Sequence, residues 1–132
     1  MKRENVEVTA LETRFHLLVP AVRAYTACVL NVLGRSAWGV EIYLVGNSVM
    51  KMNVLSYPAP ADMPRPDWDG RFLGELYVNP REARARGEQL QTLLIHGILH
   101  LVGYDHEQKK DILDMQAEEG RLLNICKSIS LD

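Results

Sequence analysis

Three of the four histidines in this 132-residue chain fall in one eleven-residue stretch, HGILHLVGYDH, residues 96 to 106. His96 and His100 are four apart, so on a helix they share a face with their Cβ atoms roughly 6 Å from each other. Thr92, His96, His100 and Gly103 follow one another down that face, while Leu93, Leu94, Ile98 and Leu101 occupy others. Two readings are open for the pair: hydrogen-bonded core histidines, or ligands of one ion. Gly103 favours the second, because a glycine that ends a helix in the left-handed conformation turns the chain and lets His106 swing back. Three neutral imidazoles without a fourth protein ligand make an open zinc-type site that activates a water near neutral pH. A structural zinc site is normally closed by a fourth residue. Asp105 and Glu107 flank His106, and either could fix a ligand tautomer by accepting from its second nitrogen.

The spacing H-x-x-x-H-x-x-G-x-x-H coincides with that of the metzincin proteases, whose signature is H-E-x-x-H-x-x-G-x-x-H. Position 97 is glycine where those enzymes carry their general base, so the geometry of a zinc protease is present without its peptide-cleaving carboxylate.

The chain's size allows one domain, residues 1–132. With 47% hydrophobic residues it can close a core without a metal clamp, so a metal would serve function rather than folding. Cys28 and Cys126 lie in apolar-periodic stretches and read as buried free thiols of a reducing compartment. The N-terminal MKRENVEVTALETRF is too interrupted by charge for a signal peptide, and no apolar run approaches bilayer length, so the expectation is a cytoplasmic protein without a membrane role. A net charge of −2 does not mark a general nucleic-acid binder.

Alternation over Val6 to Leu11 reads as a strand, and PAVRAYTACVLNVLG as a helix with Pro20 in its first turn and Gly34 at its end. Trp38 to Gly46 is a second strand, NSVMKMN after it a short helix capped by Asn47 or Ser48, and VLSYP an extended segment. Tyr57 to Gly70 holds four of the six prolines and must be a loop. RFLGELYVN returns to strand. PREARARGEQ starts a helix at Pro80 that LQTLLIHGILHLVG continues, apolar nearly all round and therefore interior. In the tail, Ile112, Met115, Leu122 and Ile125 lie near one face of a covering amphipathic helix.

HGILHLVGYDH resembles the signature of the YbeY family of bacterial endoribonucleases, which act in rRNA maturation and ribosome quality control. VLSYP (Val54 to Pro58) is similar to the family's V-L-S-F-P segment and LGELYVN (Leu73 to Asn79) to its L-G-[DE]-[IL] strand, in the family's order from Trp38 onward. The resemblance implies an α+β fold, a small mixed β-sheet packed with helices and a zincin-like three-histidine site on a buried helix. It implies a divalent transition metal, Zn2+ by expectation, on His96, His100 and His106. The implied activity is hydrolysis of single-stranded RNA, with rRNA and ribosome-associated proteins as partners.

One departure stands out. Family members carry a stretch of about ten residues with a Y-R-x-K-D-like motif before the V-L-S-F-P segment, whereas here NSVMKMN joins VLSYP directly. A basic group from that stretch would suit phosphate or the charge that builds on phosphorus. The direct join leaves little room for a turn, so the expectation is a mobile loop and a break in the ordered chain between about Met50 and Leu55. A continuous chain there would mean that the element is absent and would raise the non-catalytic reading. For proton transfer the candidates are Glu75 and Asp105; for phosphate, Arg81, Arg84 and Arg86, with Arg65 and Arg71 around the loop, and Ser56. Each has an ordinary alternative: a strand surface residue, a ligand-orienting carboxylate, a solvated face, a serine bonded to its own backbone. Besides the metal-dependent endoribonuclease, the residues admit a hydrolase of another substrate such as peptides, and a ribosome-associated factor without catalysis.

Overall fold

Alternating apolar positions give three parallel strands whose inward rows meet in one layer. β1 (Val6–Ala10) pairs with β2 (Gly39–Leu44), and β2 with β4 (Phe72–Val78), both in parallel. β3 (Val54–Pro58) closes the edge antiparallel to β4, giving the order β1-β2-β4-β3. The fold is thus α+β with a small mixed sheet, as expected. A computed structural model describes residues 5–60, 71–104 and 109–131.

Val40, Ile42, Leu44, Leu76 and Val78 are fully buried on one face, because the period-two alternation turns every second side chain of β2 and β4 the same way. Helix α1 (Val19–Val32), with Pro20 in its first turn, lays Val22, Tyr25, Val29 and Leu30 on that face and contacts β1. α3 (Leu90–Val102) lies beside it over β3 and β4. α4 (Lys109–Ile125) packs on α3. A 3-10 helix, Thr13–Leu18, runs into α1. The helical stretch Thr13–Val32 is long and apolar enough to cross a membrane by length and composition, contrary to the sequence expectation. Its buried stripe belongs to the same core as the sheet.

Two segments depart from expectation. The helix expected to run on from Pro80 is two: α2 (Pro80–Ala85), capped by the Asn79 side chain accepting from Glu82 N, and then α3. Gly87, at φ 70°, separates them, a conformation that the glycine adopts without the Cβ clash. NSVMKMN forms turns and not a helix, with the amides of Val49 and Met50 both donating to Gly46 O.

The chain also passes from Met50 into β3 without the expected break. Asn79, fully buried at the end of β4, explains how so short a connection is held. Its Nδ2 donates to Asn47 Oδ1 and to Met50 O, each at 2.7 Å, and its amide donates to Asn53 O at 2.9 Å. One asparagine, remote in sequence, thereby satisfies polar groups that a turn cannot satisfy alone. Asn53 Nδ2 donates to the Glu88 carboxylate, tying the same connection to the turn before α3.

Candidate metal centre

α3 raises its two histidines as the spacing predicts. The Nε2 atoms of His96 and His100 are 3.1 Å apart, with the rings edge to face at a centroid distance of 4.6 Å. His100 Nδ1 lies 3.1 Å from Tyr104 O. A carbonyl only accepts, so Nδ1 carries the proton and the Nε2 lone pair is left facing His96. On the far side of the His96 ring, Nδ1 is 3.7 Å from Glu119 Oε1, which favours the proton on that nitrogen too. The contact is met either by a neutral His96 whose Nε2–H donates to His100 Nε2, or by two lone pairs turned toward one cation.

The donor set fits a divalent metal. Two nitrogens each about 2.0–2.1 Å from a tetrahedral ion stand roughly 3.3 Å apart, close to the separation seen here. Exposure also counts against a pair of core histidines, since the His96 side chain keeps 35% of its surface in solvent. Gly103 ends the helix at φ 121°, and the amide of Tyr104 reaches back to Leu99 O at 2.9 Å, closing the turn as expected. His106, Asp105 and Glu107 follow that turn and lie outside the described residues, as does Arg65. Among the described residues no group of three metal-binding side chains forms.

Gly97 has a packing reason. A Cβ there would sit 2.3 Å from Leu76 Cδ1, so the helix is pressed onto β4 where metzincins carry their glutamate. The sheet occupies the space that a general base would need.

The other expected residues divide. Ser56 pairs with Leu76 across β3 and β4 and therefore lies on the α3 side of the sheet. Glu75, next to Leu76, points to the opposite face, where its Oε2 accepts from the Tyr77 hydroxyl at 2.7 Å. It is not brought to the histidines. Arg86 is held by Glu82 at 2.9 Å. Arg81 and Arg84, with Arg14, line a cleft of about 840 Å3 whose apolar side includes Phe15 and Leu90. This cleft meets α3 at its first turn, roughly 9 Å along the axis from His96. Arg71 instead stacks over Trp38, its guanidinium 5.3 Å from the ring centre.

Glu119 escaped the sequence reading. It lies between Met115 and Leu122, the buried residues of α4, while Ile112 and Ile125 are partly exposed, contrary to the expected stripe. A carboxylate inside an apolar stripe is the signal that could have found it.

The family model described as Endoribonuclease YbeY matches residues 46–127. Among relatives of that name, one from Anaeromyxobacter sp. (strain Fw109-5) is 31% identical, over 76% of this chain and 61% of its own length. Another, from Pseudomonas entomophila (strain L48), is 44% identical over 54% of this chain and 49% of its own. The chain spans about half the length of the curated relatives it matches. The alignment with the Pseudomonas protein runs over 79 positions yet takes up 54% of 132 residues, so it holds positions that this chain lacks. TM1509 from Thermotoga maritima, known from a solution structure, shares the fold with a TM-score of 0.57 at 21% identity, over 96% of this chain and 94% of its own.

Proposed function

This chain belongs to the YbeY family, and on that premise we propose that it is a metal-dependent endoribonuclease that cleaves single-stranded RNA in rRNA maturation and ribosome quality control. The observation that carries the proposal is the pair of Nε2 atoms 3.1 Å apart on a solvent-reaching helix face. His96 and His100, joined by His106, would hold one divalent transition ion, with Zn2+ the choice that suits imidazole donors. Such an ion supplies Lewis acidity for water attack on a phosphodiester.

Tyr104 O accepts from His100 Nδ1, and the Glu119 carboxylate lies near His96 Nδ1, so that both rings turn Nε2 toward the site. Arg81 and Arg84 offer positive charge along the cleft at the first turn of α3, where Arg14 is paired with Glu12, and suit the phosphates of a strand leading to the histidines. Ser56 lies on the correct side of the sheet for a phosphate contact. Asp105 remains the candidate for proton transfer. We place the protein in the cytoplasm with ribosome-associated proteins as partners.

A second reading is favoured by the short connection at Asn47 to Asn53, which omits the basic stretch of the family. In it the protein is a ribosome-associated factor that binds without cutting. A peptidase is disfavoured by the packing of Gly97 on Leu76. Incubation with single-stranded RNA and with casein, each with and without chelator, separates the three. The proposal expects cleavage of RNA alone, abolished by chelator and restored by the ion. RNA binding without cleavage at any metal loading would support the non-catalytic factor.

A further inference from the structure

We propose that Cys28 and Cys126 are a redox pair that closes to an intrachain disulfide, tying the end of α4 to α1. The two sulfurs come from positions 98 residues apart in the chain, yet their Sγ atoms are 2.6 Å apart. That is about half an ångström beyond the length of an S–S bond, a gap that side-chain torsion can close. Cys126 is fully buried one residue past α4, whereas Cys28 on α1 is partly exposed. The pair therefore joins a partly exposed residue to a fully buried one. Tyr25, one turn before Cys28, completes the cluster: its hydroxyl is buried without a hydrogen-bond partner among the described residues. Burial first, and then the two cysteines, push that phenol up to about 12.

Accessibility sets the order of events. With a small disulfide such as oxidised glutathione as oxidant, the Cys28 thiolate attacks one glutathione sulfur and the other leaves as thiolate. Cys126 then gives up its proton and attacks Cys28 Sγ, forming the protein S–S bond and expelling the second glutathione. Two protein thiols are oxidised by two electrons, one glutathione disulfide is reduced to two thiols, and the protons balance. Burial, followed by the contact with Cys28, pushes the Cys126 thiol up, which slows its attack on an outside disulfide; only the nearness of Cys28 Sγ favours its attack in the second step. In a reducing compartment the pair rests open and closes as the glutathione pool becomes oxidised.

The tie bears on α4 because Cys126 directly follows that helix. Met115 and Leu122 are its buried residues, and it carries Glu119 against His96. Fastening Cys126 to α1 adds a covalent link at an end that Leu122 and Leu131 already hold in the core.

The test uses the full chain, reduced, freed of reductant and exposed to oxidised glutathione. Alkylation under denaturing conditions then precedes mass analysis. Expected are loss of two hydrogens, protection of both cysteines from alkylation, a Cys28–Cys126 cross-linked peptide and full reversal by dithiothreitol. The oxidised chain should melt on the order of 5–10 °C higher. C126S should stop at a glutathione adduct on Cys28, and C126A repeats that result without burying a hydroxyl; far-UV circular dichroism checks that each is folded. C28S should take up no glutathione while folded. Two alkylatable thiols, a lasting glutathione adduct on the parent chain, or disulfide-linked dimers in place of the internal bond would overturn the proposal. A cross-link with no rise in melting temperature would overturn the tie on α4.

Discussion

The two faces of the sheet have opposite chemistry, although they are built from alternate residues of the same strands. Toward α1 and α3, β2 and β4 present Val40, Ile42, Leu44, Leu76 and Val78, all fully buried. The other face carries Glu41 and Glu75 side by side, then Tyr43 beside Tyr77, with Tyr57 at the edge. Tyr43 and Tyr77 stack at 5.0 Å, and each hydroxyl donates at 2.7 Å to the glutamate two residues back on its own strand. The acidic, aromatic face looks more like a site than the aliphatic one. Its carboxylates, however, are occupied by the tyrosines, and the histidines rise from the helix pressed against the aliphatic face. A strand residue's type says what it can do, while its parity decides where.

If the covered face sets the position of α3, filling it should do the greatest harm. Gly97→Glu, which restores the metzincin pattern, puts a carboxylate where a Cβ already meets Leu76; about 3 kcal/mol or more of stability should be lost, with no gain of peptidase activity. Urea unfolding and a casein assay report the two outcomes. Leu76→Ala empties the same contact and should cost roughly 2–5 kcal/mol by urea unfolding.

Glu119→Ala addresses the histidine side directly. Removing the carboxylate 3.7 Å from His96 Nδ1 should weaken metal binding up to about 10-fold, measured by competition with a chelating dye, while Glu75→Gln leaves the affinity unchanged. An equal loss in both variants would erase the distinction between the faces.

On the outer face the effects are smaller and depend on pH. Tyr77→Phe removes one hydrogen bond and should cost about 1 kcal/mol near neutrality. The bond to Glu75, then burial, pushes the Tyr77 phenol from 10.0 to about 12, and the Glu41 bond with burial raises Tyr43 further still. Because the folded values are raised, the unfolded chain ionises first. The contribution is complete below about pH 10 and is lost as pH rises through about 12. Unfolding curves between pH 9 and 12 should show a shallower decline for Tyr77→Phe than for the parent chain.

Much of this was legible in the sequence because it is local. Alternation marked β1, β-branched and aromatic residues marked β2, Pro20 and Pro80 the helix starts, and the four-residue step the histidine pair. The parts that were not legible depend on distant partners. Asn79 organises the turn at Asn47 to Asn53, so nothing within NSVMKMN announces that it is not a helix. Gly87 splits a pattern that is helical on both sides. Glu75 matched the family's acidic position, but only the register with β3 and the contact of Leu76 with Gly97 reveal which face it takes. Glu119 reaches His96 from another helix, a proximity that spacing within one element cannot express.

On the proposed reading the helix on the covered face, and not the acidic face, holds the ion. Metal content per chain, measured after loading and desalting for the parent, His96→Ala, His100→Ala and Glu75→Gln, tests it most directly. Expected are one divalent ion in the parent and in Glu75→Gln, and loss of binding in both histidine variants. Full occupancy in the histidine variants, or loss in Glu75→Gln with a native circular dichroism spectrum, would contradict it.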